Sequence, residues 1–272
     1  MARRRRLVFL AGALLIVALV GALALPRVLG GAGGPSVAAG AAAPQDRPGP
    51  VLLVPGYGGG TGALRQLAAR LEAAGRQARV VQAVGDGTGD LRAQADALDR
   101  EIDRSLDAGA PSVDLVGYSA GGVVVRLWVA EHDGEHKARR IVTLGSPHHG
   151  SEVATTAAAL FPSSCPAACQ ALRRDSELLV SLNRGDETPD GPRWTSLYTS
   201  ADSIVTPPDS ARLDGAVNVA LQEVCSGARV EHGELPTDPL PVGLVLRALG
   251  PGLDTAPAAG ECTTLRALGD RA

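Results

Sequence analysis

From residue 50 onward, short apolar runs alternate with longer stretches whose apolar positions recur at helical spacing. The runs PVLLVPG (50–56), ARVVQAV (78–84), VDLVG (113–117) and RRIVTLGSP (139–147) predict strands. Between them, ALRQLAARLEAAG (63–75), LRAQADALDREIDRSLDAG (91–109) and VVVRLWVAEH (123–132) predict helices. Strands that are apolar throughout and separated by amphipathic helices bury both faces, so the fold class is α/β with a mostly parallel central sheet and helices on both sides. The rhythm breaks over residues 146–192, where an apolar TTAAALF and a helix-like QALRRDSELLVSLN carry no strand signal. An insertion there would sit above the C-terminal edge of the sheet, where open α/β folds bind ligands, and is a candidate lid or acyl-pocket wall.

The N-terminal pattern is of another kind. MARRRR precedes LVFLAGALLIVALVGALALP, an uncharged stretch long enough for a signal-peptide core or a single membrane span. Residues 1–26 therefore read as a signal peptide or an N-terminal anchor, with Ala22 and Ala24 offering an A-x-A cleavage site and residues 7–26 the tether if cleavage does not occur. Residues 27–49, rich in Gly, Ala and Pro, read as a flexible linker, and 50–272 as the α/β domain. The expected location is exported, either secreted or held on the outer side of the cytoplasmic membrane.

The four cysteines fit export, and four allow three pairings. Cys165 and Cys169 are close enough to staple one loop, which leaves Cys225 and Cys262 to tie the C-terminal tail to the body. Zinc is disfavoured, since the segment FPSSCPAACQ lacks the paired knuckles and histidines of structural zinc sites. Aromatic residues make up only 3% of the chain, the formal net charge is -3 and the pI is about 6.0, so neither a base-stacking surface nor a basic phosphate-binding face is expected.

The chemistry concentrates at DLVGYSAGGVVVR (114–126). Gly117, Ser119 and Gly121 form G-x-S-x-G between a predicted strand and a predicted helix, the setting of a nucleophile elbow. A serine nucleophile needs a base and the base an orienting acid, in chain order serine, acid, histidine. His232 is the histidine well downstream, because His132 and His136 fall in a charged helix end and His148 and His149 precede the acid. Asp202, after the strand-like WTSLYTSAD, is the favoured acid over Asp190, Asp209 and Asp214 in turn-like surroundings. The charge developing on a substrate carbonyl calls for two N–H donors: the backbone of Ala120 after the serine, and that of Tyr57 in PGYGGG after the first strand. That loop lacks the G-K-[ST] ending of a phosphate cradle.

The segments VLLVPGYGG, DLVGYSAGGVVVR, IVTLGSPHHGS, YTSADSIVTP and VEHGELPTDP, spread over residues 50 to 248, resemble the small secreted bacterial lipases of the α/β-hydrolase superfamily, the lipase class 2 type of actinobacterial and related enzymes. The resemblance implies a reduced α/β-hydrolase core without the usual first two strands. It assigns triad roles to Ser119, Asp202 and His232 and oxyanion donors to Tyr57 and Ala120. It further implies cofactor-independent hydrolysis of acylglycerols or other carboxylic esters. The chain is expected to be a monomer. One departure stands out: Pro55 and Gly56 occupy the place where the family commonly has His-Gly. The pair His148 and His149 matches a family segment read as structural support. Two other readings use the same residues, an exported acyltransferase with a sugar or lipid hydroxyl as acceptor, and a hydrolase-like binding protein without catalysis. An amidase or peptidase would also suit the fold.

Overall fold

The computed structural model describes residues 42–250 and 255–271. The signal or anchor segment 1–26, the tether 7–26 and most of the linker lie outside these residues. The strands are β1 (Val51–Val54), β2 (Ala78–Val80), β3 (Val113–Tyr118), β4 (Ala138–Leu144), β5 (Arg193–Tyr198) and β6 (Val217–Ala220). They form one six-stranded sheet in the order β2-β1-β3-β4-β5-β6, every neighbouring pair parallel.

The helices are α1 (Gly62–Ala73), α2 (Leu91–Asp107), α3 (Ala120–Glu131), α4 (Gly134–Lys137), α5 (Glu152–Leu160), α6 (Ala167–Ala171), α7 (Glu177–Leu182), α8 (Leu221–Val224), α9 (Pro239–Leu249) and α10 (Cys262–Arg271). Alternate strand residues feed two cores. Val51, Leu53, Val116 and Leu144 pack with Leu64, Leu67 and Leu71 of α1 and with Leu240, Leu244 and Leu265 of α9 and α10. Leu52, Val54, Leu115 and Ile141 pack with Leu98 and Ile102 of α2 and with Val123, Leu127 and Trp128 of α3. This two-sided burial is the reason the strands read as unbroken apolar runs.

At the N-terminal edge of the sheet, Asp114 is fully buried and bonded by Arg139 and by Arg76, the latter at 2.6 Å. Both arginines also donate to the carbonyl of Leu249, so the last turn of α9 receives two cations at its negative end.

Several boundaries differ from the sequence expectation. The expected strand over 78–84 stops at Val80, because the amide side chain of Gln94 in α2 takes both the N–H of Val84 (2.8 Å) and its carbonyl (3.0 Å), turning the chain out of the ladder. The helix-like 170–183 splits into α6 and α7, since Ser176 accepts from the N–H of Leu179 and starts a new helix. The linker expected over 27–49 is shorter at its C-terminal end. Gln45 donates to the carbonyls of Arg139 and Gly191, and Ala43 is buried, so residues 42–49 pack on the domain.

Disulfides join Cys165 to Cys169 and Cys225 to Cys262, the pairing that the spacing favours and one suited to an oxidising compartment. No helix among the described residues is long and apolar enough to cross a membrane.

Candidate active site

Three loops leaving the C-terminal ends of β3, β5 and β6 meet at one point. Ser119 follows β3 directly, with φ 54° and ψ -128°, a conformation that an L-residue holds only when its surroundings impose it. The surroundings are tight. A Cβ at Gly117 would lie 2.5 Å from the Cα of Gly122, and one at Gly121 would lie 2.2 Å from the carbonyl oxygen of Val54. Glycine at both places lets β3, α3 and β1 close on the turn, and the serine N–H is fixed to the carbonyl of Leu144 at 2.8 Å.

His232 opens a short 3-10 turn after β6 and α8, and is buried. Its Nε2 lies 3.0 Å from Ser119 Oγ and its Nδ1 lies 2.7 Å from Asp202 Oδ2. Asp202 sits four residues past the end of β5, where its Oδ1 accepts from the N–H groups of Ile204 (2.9 Å) and Val205 (2.8 Å). The Thr199 hydroxyl donates to the carbonyl of Val230 at 2.7 Å, tying the loop that carries the acid to the loop that carries the histidine. The rival acids Asp190, Asp209 and Asp214 are all exposed.

Two supporting residues were missed in the sequence. Tyr118, the residue before the serine, packs against the His232 ring in a tilted arrangement, 5.3 Å between centroids, and its hydroxyl donates to the His232 carbonyl at 3.2 Å. Burial, and then the charge of Asp202, push its phenol up to about 12, so it stays protonated, and a donor, at neutral pH. Gly145 has φ 53°, and a Cβ there would meet Leu235 at 2.5 Å and approach His232 Nδ1 and Asp202 Oδ2 at 3.1 and 3.2 Å. The only signal for either was a tyrosine inside the G-x-S-x-G and a glycine at a strand's end.

Tyr57 and Ser119 line one cavity of about 260 Å³, and Ala120 is the first residue of α3. Gly56 brings the loop after β1 close over the serine, since a Cβ there would lie 2.8 Å from Ser119 Cβ. The rest of the cavity wall is mostly apolar: Val153, Ala154 and Ala157 of α5, Leu172, and Ile204 and Val205, with Cys169 beside them. Much of this wall comes from the segment between β4 and β5.

That segment is anchored on α3 through buried polar groups. Arg126 donates to Asn183 Oδ1 at 2.7 Å and to the carbonyl of Leu182 at 3.1 Å, and Asn183 donates in turn to the carbonyl of His148 at 2.9 Å. His148 is fully buried, with Nε2 3.1 Å from the Thr143 hydroxyl. Burial, and then the nearby charges of Arg126 and His149, hold its imidazole well below the ordinary 6.5, so it is neutral in the fold. An unfolded chain takes up that proton as pH falls through 6.5 while the folded chain does not, so acid favours unfolding. Urea unfolding of the wild type should lose roughly 1 kcal/mol per pH unit from this group below that pH, and His148→Gln should show a correspondingly shallower decline.

Residues 50–184 match the family model described as palmitoyl protein thioesterase. Among solved structures, lipase B of Aspergillus fumigatus superposes with a TM-score of 0.65 at 18% identity, covering 83% of this chain and 60% of that one. The mature lipase BlEst2 of Bacillus licheniformis gives 0.55 at 20% identity, covering 63% of this chain and 82% of that one. The phospholipase PlaB of Legionella pneumophila gives 0.55 at 15% identity, with 81% and 63% covered. The chain has an α/β-hydrolase fold. It covers 60% of the Aspergillus lipase's length, less than two thirds. The class 2 lipase resemblance is finer than these matches, which are a thioesterase family model over residues 50–184 and the shared fold of two lipases and a phospholipase.

Proposed function

We propose that this α/β-hydrolase is an exported serine hydrolase that cleaves carboxylic esters with an apolar acyl group through an acyl-enzyme on Ser119. The observation that carries this reading is the unbroken line Asp202–His232–Ser119, ending on a strained serine at the wall of an apolar cavity.

The chemistry follows from the donors and acceptors. With Asp202 Oδ1 already accepting two backbone N–H groups, Oδ2 accepts the Nδ1–H of His232, which leaves Nε2 with its lone pair toward Ser119. As Ser119 Oγ attacks the ester carbonyl, its proton passes to Nε2, and Asp202 stabilises the imidazolium that forms. The N–H groups of Tyr57 and Ala120 hold the carbonyl oxygen as it becomes negative. The proton on Nε2 then goes to the leaving alcohol as the acyl C–O bond breaks. A water molecule gives its proton to His232, attacks the acyl-enzyme and releases the acid with Ser119 restored.

The segment 146–192 acts in this reading as a cap that supplies the acyl wall. Ala154 and Ala157 lie about one turn apart on α5, and their small side chains leave room for an alkyl chain. Ala157→Phe should therefore reduce kcat/KM for p-nitrophenyl laurate by about tenfold or more while leaving p-nitrophenyl acetate within about threefold. Equal losses on both esters would place the acyl chain elsewhere.

A second reading, thioester cleavage, is favoured by the family match over residues 50–184. The attack is the same, with a thiol as leaving group. Parallel assays of oxygen and sulfur esters of one acyl group, from acetate to palmitate, decide between them: a clear preference for the sulfur ester of a long chain supports a thioesterase. Turnover raised by an added acceptor alcohol, with a new ester as product, would instead indicate acyl transfer.

A further inference from the structure

Residues 84–90, in the loop between β2 and α2, contribute nothing to the Asp202–His232–Ser119 line, yet they bond to the chain neighbours of two residues that line the cavity of Ser119, Tyr57 and Cys169. On one side, the carbonyl of Gly87 accepts from the N–H of Gly58 at 3.2 Å, one residue beyond Tyr57. The contact is backbone on backbone. Gly87 is buried with φ 74°, and a Cβ there would lie 2.4 Å from the nitrogen of Gly59 and 3.0 Å from the carbonyl carbon of Gly58. On the other side, the carbonyl of Thr88 accepts from the N–H of Ala168 at 3.0 Å, inside the turn stapled by Cys165–Cys169.

The loop itself is held at both ends. Gln94 grips Val84 by its N–H and its carbonyl, and one carboxylate oxygen of Asp86 accepts both the N–H of Thr88 (2.9 Å) and its hydroxyl (2.7 Å). Asp86 is exposed and touches neither cavity wall through its side chain in these bonds, so its effect is on the shape of the loop. Within the segment, the N–H of Gly59 donates to the carbonyl of Gly56 at 3.1 Å and closes a turn around Tyr57, but glycines at 58 and 59, both with positive φ, give that turn little stiffness of its own. An oxyanion donor acts only when it is aimed before the reaction, and the bond from Gly58 to Gly87 adds a constraint from outside that turn.

We propose that Gly87 and Asp86 are positioning residues for the oxyanion donor: the 84–90 loop braces the Tyr57 peptide against the disulfide-stapled turn of the cap. The proposal rests on the serine-hydrolase reading above. The brace explains why a glycine is placed where two backbones meet, and why an exposed aspartate is spent on the turn beside it.

The test compares Asp86→Ala, Asp86→Asn and Gly87→Ala with the wild type. Two readouts are taken: steady-state hydrolysis of p-nitrophenyl butyrate, and inhibition by an alkyl trifluoromethyl ketone, which adds to the serine and forms the oxyanion. Asp86→Ala is expected to lower kcat by about tenfold with KM within about twofold, and to weaken the ketone by a similar factor, because displacement of a donor is felt only where charge develops. Asp86→Asn keeps the accepting oxygen and should stay within about twofold of the wild type. Gly87→Ala should fall further in the same direction; if it does not fold, the two Asp86 variants carry the test. Wild-type kcat in Asp86→Ala would overturn the brace, as would equal losses in the Ala and Asn variants, or a drop in kcat with undiminished ketone affinity. Retention of activity in Ser119→Ala would instead overturn the hydrolase reading itself, so the two failures are distinct.

Discussion

Replacing Ser119 by alanine should lower kcat for ester hydrolysis by about 10⁴-fold or more, with KM little changed. The size follows from what is lost. Without Oγ there is no covalent intermediate, and His232 can only assist water from a position built for the serine proton 3.0 Å away. The residual rate would come from the oxyanion donors and from binding, which act without the nucleophile. The fold should survive. Ser119 is held by its backbone contact to Leu144 and by the glycines around it, and alanine is smaller than serine. Thermal unfolding within a few degrees of the wild type would establish that activity was lost without collapse. A folded Ser119→Ala protein turning over esters near the wild-type rate would remove the serine from the mechanism.

The second large effect belongs to the acid. Asp202→Asn should lower kcat by roughly 10³- to 10⁴-fold. Asn can keep the oxygen that accepts from Ile204 and Val205, but its amide nitrogen then faces His232 Nδ1. Two donors cannot share that 2.7 Å contact, so the imidazole proton moves to Nε2 and the base can no longer accept from Ser119. Asn at 190, 209 or 214 should leave kcat within about threefold, since these aspartates are exposed and none takes part in the line to His232. A large loss at one of those positions, with Asp202→Asn active, would reassign the acid.

The parts of this site that were legible in the sequence are those fixed by local pattern or by chain order. G-x-S-x-G between an apolar run and a helical one marks the elbow at Ser119 because the strain of that turn needs glycines at fixed offsets. His232 was reachable by order alone, and Asp202 by its position after a strand-like run. The supporting residues were not legible. Gly145 matters because Leu235, His232 and Asp202 converge on it from elsewhere in the chain, and Tyr118 because its ring meets His232 more than a hundred residues later, in the bond of sequence separation 114. Nothing local announces either contact.

The same distinction explains the boundaries. Strand β2 looked longer because ARVVQAV is apolar and β-branched, but Gln94, a polar residue on a helix, captures Val84 and ends the ladder. The segment from 170 to 183 has helical spacing throughout, and only the Ser176 cap divides it. The composition of residues 27–49 suggested a tether over their whole length, whereas the packing of Ala43 and the bonds of Gln45 depend on a groove formed by distant residues.

The most direct test of the central claim is covalent. An alkyl p-nitrophenyl phosphonate should add to the purified protein in a single equivalent, and peptide mapping should place the phosphonyl group on Ser119, with the adduct lost in Ser119→Ala and formed far more slowly in His232→Ala. Failure to label, or a label on another residue at the same rate in both variants, would contradict the account.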